Sequence, residues 1–158
     1  MYVVSVVRCL WCINLIINVL KTFEELGVSA EIRQAIEEMG YENPMPVQEE
    51  VIPYLLGVNN DVVALAQTGT GKTAAYGLPV LQKVDATRNV TQALILSPTR
   101  ELCLQIADDL ENYSKYLPGV RVLPVYGGAN IEPQIRTLRK GVQVLSLIHI
   151  SEPTRHSL

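Results

Sequence analysis

Ala66-Gln67-Thr68-Gly69-Thr70-Gly71-Lys72-Thr73 follows an apolar run, Val62-Val63-Ala64-Leu65, and precedes a helix-compatible segment. A strand, a glycine-rich loop and a helix N-terminus in that order form a phosphate cradle. The loop N–H groups and the helix dipole both favour a polyanion there. Gly69 and Gly71 let the backbone curl around phosphates with no Cβ in the way. Lys72 is placed to bring its ammonium to the β/γ-phosphates, and the Thr73 hydroxyl to ligate Mg²⁺. Position 66 is Ala where the general pattern has Gly, but the Thr-Gly-Thr-Gly-Lys-Thr core is intact. The competing reading is a Gly/Thr-rich turn that happens to hold a lysine, and the preceding strand signal argues against it.

Outward from this loop, strand and helix signals alternate. Upstream, Ser29 is a candidate N-cap, and Ile32, Ala35, Ile36 and Met39 fall on one helical face that Gly40 ends. Asn43-Pro44-Met45-Pro46 is a stiff extended turn, and a helix is expected from Val47 to Leu56, with Pro53 inside it and Gly57 after it. Val62–Ala66 is the expected first strand, followed by a helix from about Lys72 to Val84. Ala93–Ser97 reads as a second, buried strand, Glu101 to Tyr116 as a helix, Val120–Val125 as a third strand, Ile131–Lys140 as a helix, and Val142–Val144 as the start of a fourth strand. The fold class expected is α/β: a parallel sheet with helices on both faces and right-handed crossovers.

The chain has 158 residues, enough for one domain with a core. A net charge of −3 gives no global basic field, so any nucleic-acid contact must come from local geometry. Three cysteines, Cys9, Cys12 and Cys103, form no disulfide framework and suit a reducing, cytoplasmic setting. Cys9-x-x-Cys12 lies in an apolar run with no second ligand pair, so it carries no redox or metal assignment.

The two ends differ from the middle. Residues 2–20 approach the ~20 apolar residues that span a bilayer, but Arg8, Asn14 and Asn18 interrupt them and no small-residue cleavage site follows. Residues 1–20 are therefore read as an apolar extension of doubtful authenticity, or a mis-assigned start, rather than a membrane anchor. Leu145 to Arg155 resembles the in-frame translation of a sequencing adapter. Residues 145–158 are expected to be non-native, the alternative being a genuine short strand and tail, with no catalytic weight on His149 or His156.

Two further clusters carry chemistry. Gly40-Tyr41-Glu42-Asn43-Pro44-Met45-Pro46-Val47-Gln48 lies upstream of the loop, with Phe23 seventeen residues before Gly40. The Gln48 amide offers a donor and an acceptor, the pair that reads the N6/N7 edge of adenine, and an aromatic ring nearby would stack on a base. The plain alternative makes Tyr41 part of the core and Gln48 a surface helix residue. Downstream, Pro98-Thr99-Arg100-Glu101-Leu102 sits at the C-terminal end of a strand, where open α/β sheets bind ligands. Arg100 and the following helix N-terminus would suit a phosphodiester, although alone the run is an ordinary capped helix start. Gly127-Gly128 leaves the next strand at the same edge, and alone it is a tight turn.

Together these residues resemble the DEAD-box family of ATP-dependent RNA helicases over about Lys21 to Val144. The resemblance rests on a Q motif (Phe23, then Gly40 to Gln48), motif I (Ala66 to Thr73), motif Ia (Pro98 to Leu102) and the Gly127-Gly128 doublet. It implies a partial RecA-like P-loop domain in which Gln48 selects adenine, with Phe23 and Tyr41 building its pocket. Gln67, Thr68, Gly69, Thr70, Gly71, Lys72 and Thr73 would hold the ATP phosphates, with Thr73 on Mg²⁺. Pro98, Thr99, Arg100, Gly127 and Gly128 would touch the RNA backbone. Met45 departs from the family's usual Ser/Thr, and Cys103 stands where Ala is usual, a small thiol that should be tolerated. The family's later motifs, the Asp-Glu-Ala-Asp box and a second RecA-like domain among them, are not present. The chain is therefore expected to be an N-terminal fragment that neither hydrolyses ATP at a useful rate nor unwinds RNA by itself. Two alternatives stand beside it: a non-catalytic nucleotide-binding or interaction stub, and a nucleotide-binding module tethered to a membrane by residues 2–20.

Overall fold

A computed structural model describes residues 21–57, 61–67 and 69–148. In order, the elements are α1 (Ala30–Glu38), α2 (Pro46–Leu56), α3 (Lys72–Lys83), β1 (Ala93–Ser97), α4 (Arg100–Tyr113), β2 (Val122–Val125), α5 (Ile131–Arg139) and β3 (Val144–Ile148). The sheet is parallel, in the order β1-β3-β2, with Ala93, Val144 and Val122 in register across it. β3 is thus the central strand, and it extends through residues 145–148, which the sequence reading set outside the native domain.

Local chemistry accounts for the helices. α1 buries Ile32, Ala35 and Ile36 on one face. It ends in a Schellman turn: Gly40 takes φ +86°, its N–H donates to Glu37 O at 2.9 Å, and the Tyr41 N–H donates to Ile36 O at 3.0 Å. That turn fixes where Tyr41 leaves the helix. Pro46 occupies the first position of α2, where its missing N–H has no helical acceptor to lose. Against α3, α4 approaches closely at Gly77, where a Cβ would lie 2.8 Å from Leu110 Cδ2.

The core forms where α1 to α4 meet the sheet face of Ala93, Ile95, Val144 and Val122. Ile32, Ile36, Ile52, Leu78 and Leu110 are fully enclosed there. α4 is tied to β3 by a buried reciprocal pair: the Cys103 thiol donates to Ser146 O at 3.2 Å, and Ser146 Oγ donates to Cys103 O at 3.0 Å. The thiol at position 103 therefore fits, and it adds a hydrogen bond that an alanine would lack.

The α/β fold class and parallel sheet are as the sequence predicts, but five local expectations need correction. Val62–Ala66 is not a strand: no ladder partner lies beside it among the described residues, and Val63 and Leu65 are 90% and 95% exposed. A parallel strand exists only through its neighbours' hydrogen bonds, so an apolar run without them stays irregular. Ala93–Ser97 is a strand but an edge strand, with Leu94 and Leu96 open on its second face. Among the described residues only α5 belongs to that second face, since the β2–α5–β3 step runs opposite to β1–α4–β2 and a right-handed crossover must then change sides. α5 buries none of its own residues. Finally, Gln48 is 1% exposed, which rules out the surface-helix reading. The helix expected to reach Tyr116 ends at Tyr113, and the strand expected from Val120 begins at Val122. Among the described residues no helix is long and apolar enough to cross a membrane. Residues 2–20, Cys9, Cys12, Thr68, His149 and His156 lie outside the described residues.

Candidate nucleotide and RNA sites

The phosphate loop is built as its glycines require. Gly69 and Gly71 take φ +79° and +71°, and Gly71 is the N-cap of α3. Beyond Gly71 the first-turn N–H groups of Lys72 and Thr73 have no helical acceptor, which makes them donors for an anion. A Cβ at Gly69 would meet nothing within 4 Å, so the loop is open on that side. Lys72 folds back on the loop: its ammonium donates to Ala66 O and Gln67 O, both at 2.6 Å. The Thr70 hydroxyl donates to Gln67 O at 2.8 Å. The lysine thus holds the loop's own carbonyls, contacts it must exchange to reach a phosphate. Gln67 is exposed, and Thr70 and Thr73 are half-buried. This donor set fits a nucleotide triphosphate, and Thr73 can supply one oxygen of a Mg²⁺ shell.

Gln48 joins the second motif to the first. Its Oε1 accepts from Met45 N at 2.9 Å, and its Nε2 donates to Gly71 O at 3.0 Å. The backbone of Met45 serves here, so the hydroxyl missing from position 45 is not needed for this contact. One amide hydrogen and one lone pair are engaged, and the second of each sits on an amide that is 1% exposed. Phe23, 5% exposed, packs against Tyr41 with ring centroids 6.4 Å apart. Tyr41 in turn meets Tyr113 of α4 edge-on at 6.1 Å, and their hydroxyls are 3.0 Å apart. Burial holds the Tyr113 phenol well above its ordinary range, and the Tyr41 hydroxyl pushes the same way. A cavity of about 230 Å³ opens beside Phe23 and Tyr41, with Arg33 and Glu42 also on its wall. Tyr113 has no part in the sequence reading, because only the fold brings α4 to the Q motif.

The sheet's C-terminal edge gathers the other cluster. β1 and β2 flank β3 in parallel, so Pro98-Thr99-Arg100 and Gly127-Gly128 emerge on the same side, all exposed. Thr99 caps α4, its hydroxyl accepting from Leu102 N at 3.3 Å. The Arg100 guanidinium lies over the Tyr126 ring, 4.6 Å from its centroid. Its Nη1 is 3.5 Å from where a Cβ on Gly128 would stand. The structure therefore brings Arg100 and the glycine doublet together, and it adds Tyr126, an aromatic directly before the doublet that the sequence reading passed over. Asp109 on α4 has its carboxyl raised by burial and by the neighbouring Asp108, and it faces none of these groups through a hydrogen bond.

Comparison with known proteins places the fold in a family. The family model described as DEAD/DEAH box helicase matches residues 45–154. The ATP-dependent RNA helicase DeaD of Escherichia coli K12 is 47% identical over 124 residues, covering 78% of this chain and 20% of that protein. A DEAD box protein from the hyperthermophile Methanococcus jannaschii superposes with a TM-score of 0.75 at 38% identity, over 80% of this chain and 34% of that one. The RNA helicase Prp28 from Chaetomium thermophilum, solved bound to ADP, gives a TM-score of 0.73 at 34% identity, over 81% and 32%. The chain spans about a fifth to a quarter of the length of the curated relatives it matches. With the family model covering most of the chain and the RecA-like fold shared, the chain belongs to the DEAD-box helicase family.

Proposed function

We propose that this chain binds ATP with Mg²⁺ at the phosphate loop and the backbone of single-stranded RNA at the C-terminal sheet edge, as part of an ATP-dependent RNA helicase acting in the cytoplasm. The observation that carries the reading is the hydrogen bond from Gln48 Nε2 to Gly71 O. It joins the residue suited to read adenine to the loop suited to hold phosphates, so that one nucleotide spans both. In this reading Phe23 and Tyr41 wall the base, Gln67 to Thr73 take the phosphates, and Thr73 ligates Mg²⁺. Pro98, Thr99, Arg100, Gly127 and Gly128 take the RNA backbone.

Phosphoryl transfer also needs a metal-holding carboxylate, a group orienting water and a charge-stabilising arginine finger, the last worth roughly 10³–10⁵ in rate. The Asp-Glu-Ala-Asp sequence does not occur in the 158 residues. The chain alone is therefore expected to bind nucleotide without useful turnover.

Thermal melting with and without ATP and Mg²⁺ tests the reading. Ligand at 100 times its Kd stabilises a folded protein by about 2.7 kcal/mol. The wild-type chain should show a saturable rise in Tm, and Lys72→Ala should lose it. An equal rise in both proteins would remove the nucleotide from the loop.

A further inference from the structure

Arg100 is exposed and makes no ion pair among the described residues, yet its guanidinium has a fixed seat. Its Cζ lies over the Tyr126 ring, 4.6 Å from the centroid. On another side is Gly128, at φ +80°, where even an added Cβ would stand 3.5 Å from Nη1, an ordinary contact. Tyr126 is itself held. From α5, the Gln134 Oε1 accepts from Tyr126 N and its Nε2 donates to Tyr126 O, both at 3.2 Å. One side chain thereby clamps both backbone groups of the residue that carries the ring, and the helix that supplies it is anchored by the Asn130 cap. Stacking engages a guanidinium through its π face and leaves the in-plane N–H groups as donors. Those N–H groups form the fork that matches the two oxygens of a phosphodiester.

We infer that Tyr126 is a positioning residue for RNA: its ring holds the Arg100 guanidinium face-on so that the in-plane donors are aimed before a strand arrives. The inference rests on the RNA reading proposed above. Leu, which lacks a π face, should free Arg100; Phe, which keeps it, should not.

The test uses the full chain and a short fluorescein-labelled oligouridylate, with binding read by anisotropy in the wild type, Tyr126→Leu, Tyr126→Phe, Arg100→Ala and the Arg100→Ala/Tyr126→Leu double variant. Tyr126→Leu should weaken binding by about two- to fivefold, the range for a solvent-exposed cation–π contact. Tyr126→Phe should bind like the wild type. Arg100→Ala should lower the slope of log affinity against log salt by about 0.7, one phosphate on a single strand. In the Arg100→Ala background, Tyr126→Leu should have no further effect. An independent readout in the free chain is the Arg100 Nε–H resonance, shielded by the ring in the wild type and Tyr126→Phe and released in Tyr126→Leu.

Equal weakening by Tyr126→Leu in both backgrounds would mark a merely structural role and overturn the inference. So would an Arg100 resonance unmoved by Tyr126→Leu. RNA binding that Arg100→Ala weakens and Tyr126→Leu spares would remove the positioning role while leaving the RNA reading intact. A wild-type chain that binds no RNA would overturn both.

Discussion

Gly71→Ala probes the joint between the adenine-reading residue and the phosphate loop. Two separate effects set its magnitude. Gly71 sits at φ +71°, where an L-residue with a Cβ is destabilised by roughly 1–2 kcal/mol. The new Cβ would also stand 2.3 Å from Gln48 Nε2 and 3.4 Å from its Cδ. Gln48 is 1% exposed and bonded at both ends of its amide, so it cannot swing into water. Displacing it breaks the bond to Gly71 O and leaves buried polar groups unpaired, about 1–3 kcal/mol more. The sum is about 2–5 kcal/mol, a large share of the ~5–15 kcal/mol by which domains are stable. Urea denaturation of the wild type, Gly71→Ala, Gln48→Ala and the double variant separates the two parts. In the Gln48→Ala background only the backbone term should remain, so the cycle should show a coupling of about 1–3 kcal/mol. Additivity within ~0.5 kcal/mol, or a near-neutral Gly71→Ala, would mean that Gly71 and Gln48 are not coupled.

Other outcomes follow from the packing around α4. Leu110→Ala, at a fully enclosed position against Gly77, should destabilise by about 2–5 kcal/mol in the same assay. Tyr113 has its phenol raised above the ordinary value of 10.0, so the unfolded chain loses that proton first. Its contribution is intact at neutral pH and is lost as pH rises beyond about 10, giving a falling stability there that Tyr113→Phe should flatten. Cys103 is fully buried, so its alkylation, followed by mass mapping of its peptide, should occur only as fast as the domain opens. Rapid labelling of folded chain would contradict the α4–β3 contact.

What the sequence could show depended on how local the determining physics is. The helices of residues 30–38, 72–83 and 131–139 were legible because caps, glycine stops and apolar spacing act within one turn of chain. The phosphate loop was legible for the same reason, since its conformation needs glycine at positions 69 and 71. Val62–Ala66 misled because an apolar run names its preference for burial but not its partner, and none pairs with it among the described residues. Leu94 and Leu96 misled likewise: continuous apolarity suits a strand covered on both sides, whereas this one lies at an edge. Gln48 was picked out for its amide, but its burial and its bond to Gly71 depend on the packing of α2 on α3. Tyr126 and Gln134 left no signal of their own, because a stack on Arg100 is a contact between neighbouring crossover loops.

One adenine nucleotide bridging Gln48 and the phosphate loop is what the proposed function requires. Calorimetric titration of the chain with Mg²⁺ and a non-hydrolysable ATP analogue, repeated with the GTP analogue and with Gln48→Ala, tests it most directly. The expected result is one saturable site for the ATP analogue, much weaker binding of the GTP analogue, and loss of that preference in Gln48→Ala. Equal binding of both analogues by the wild type, or an adenine preference that survives Gln48→Ala, would contradict it.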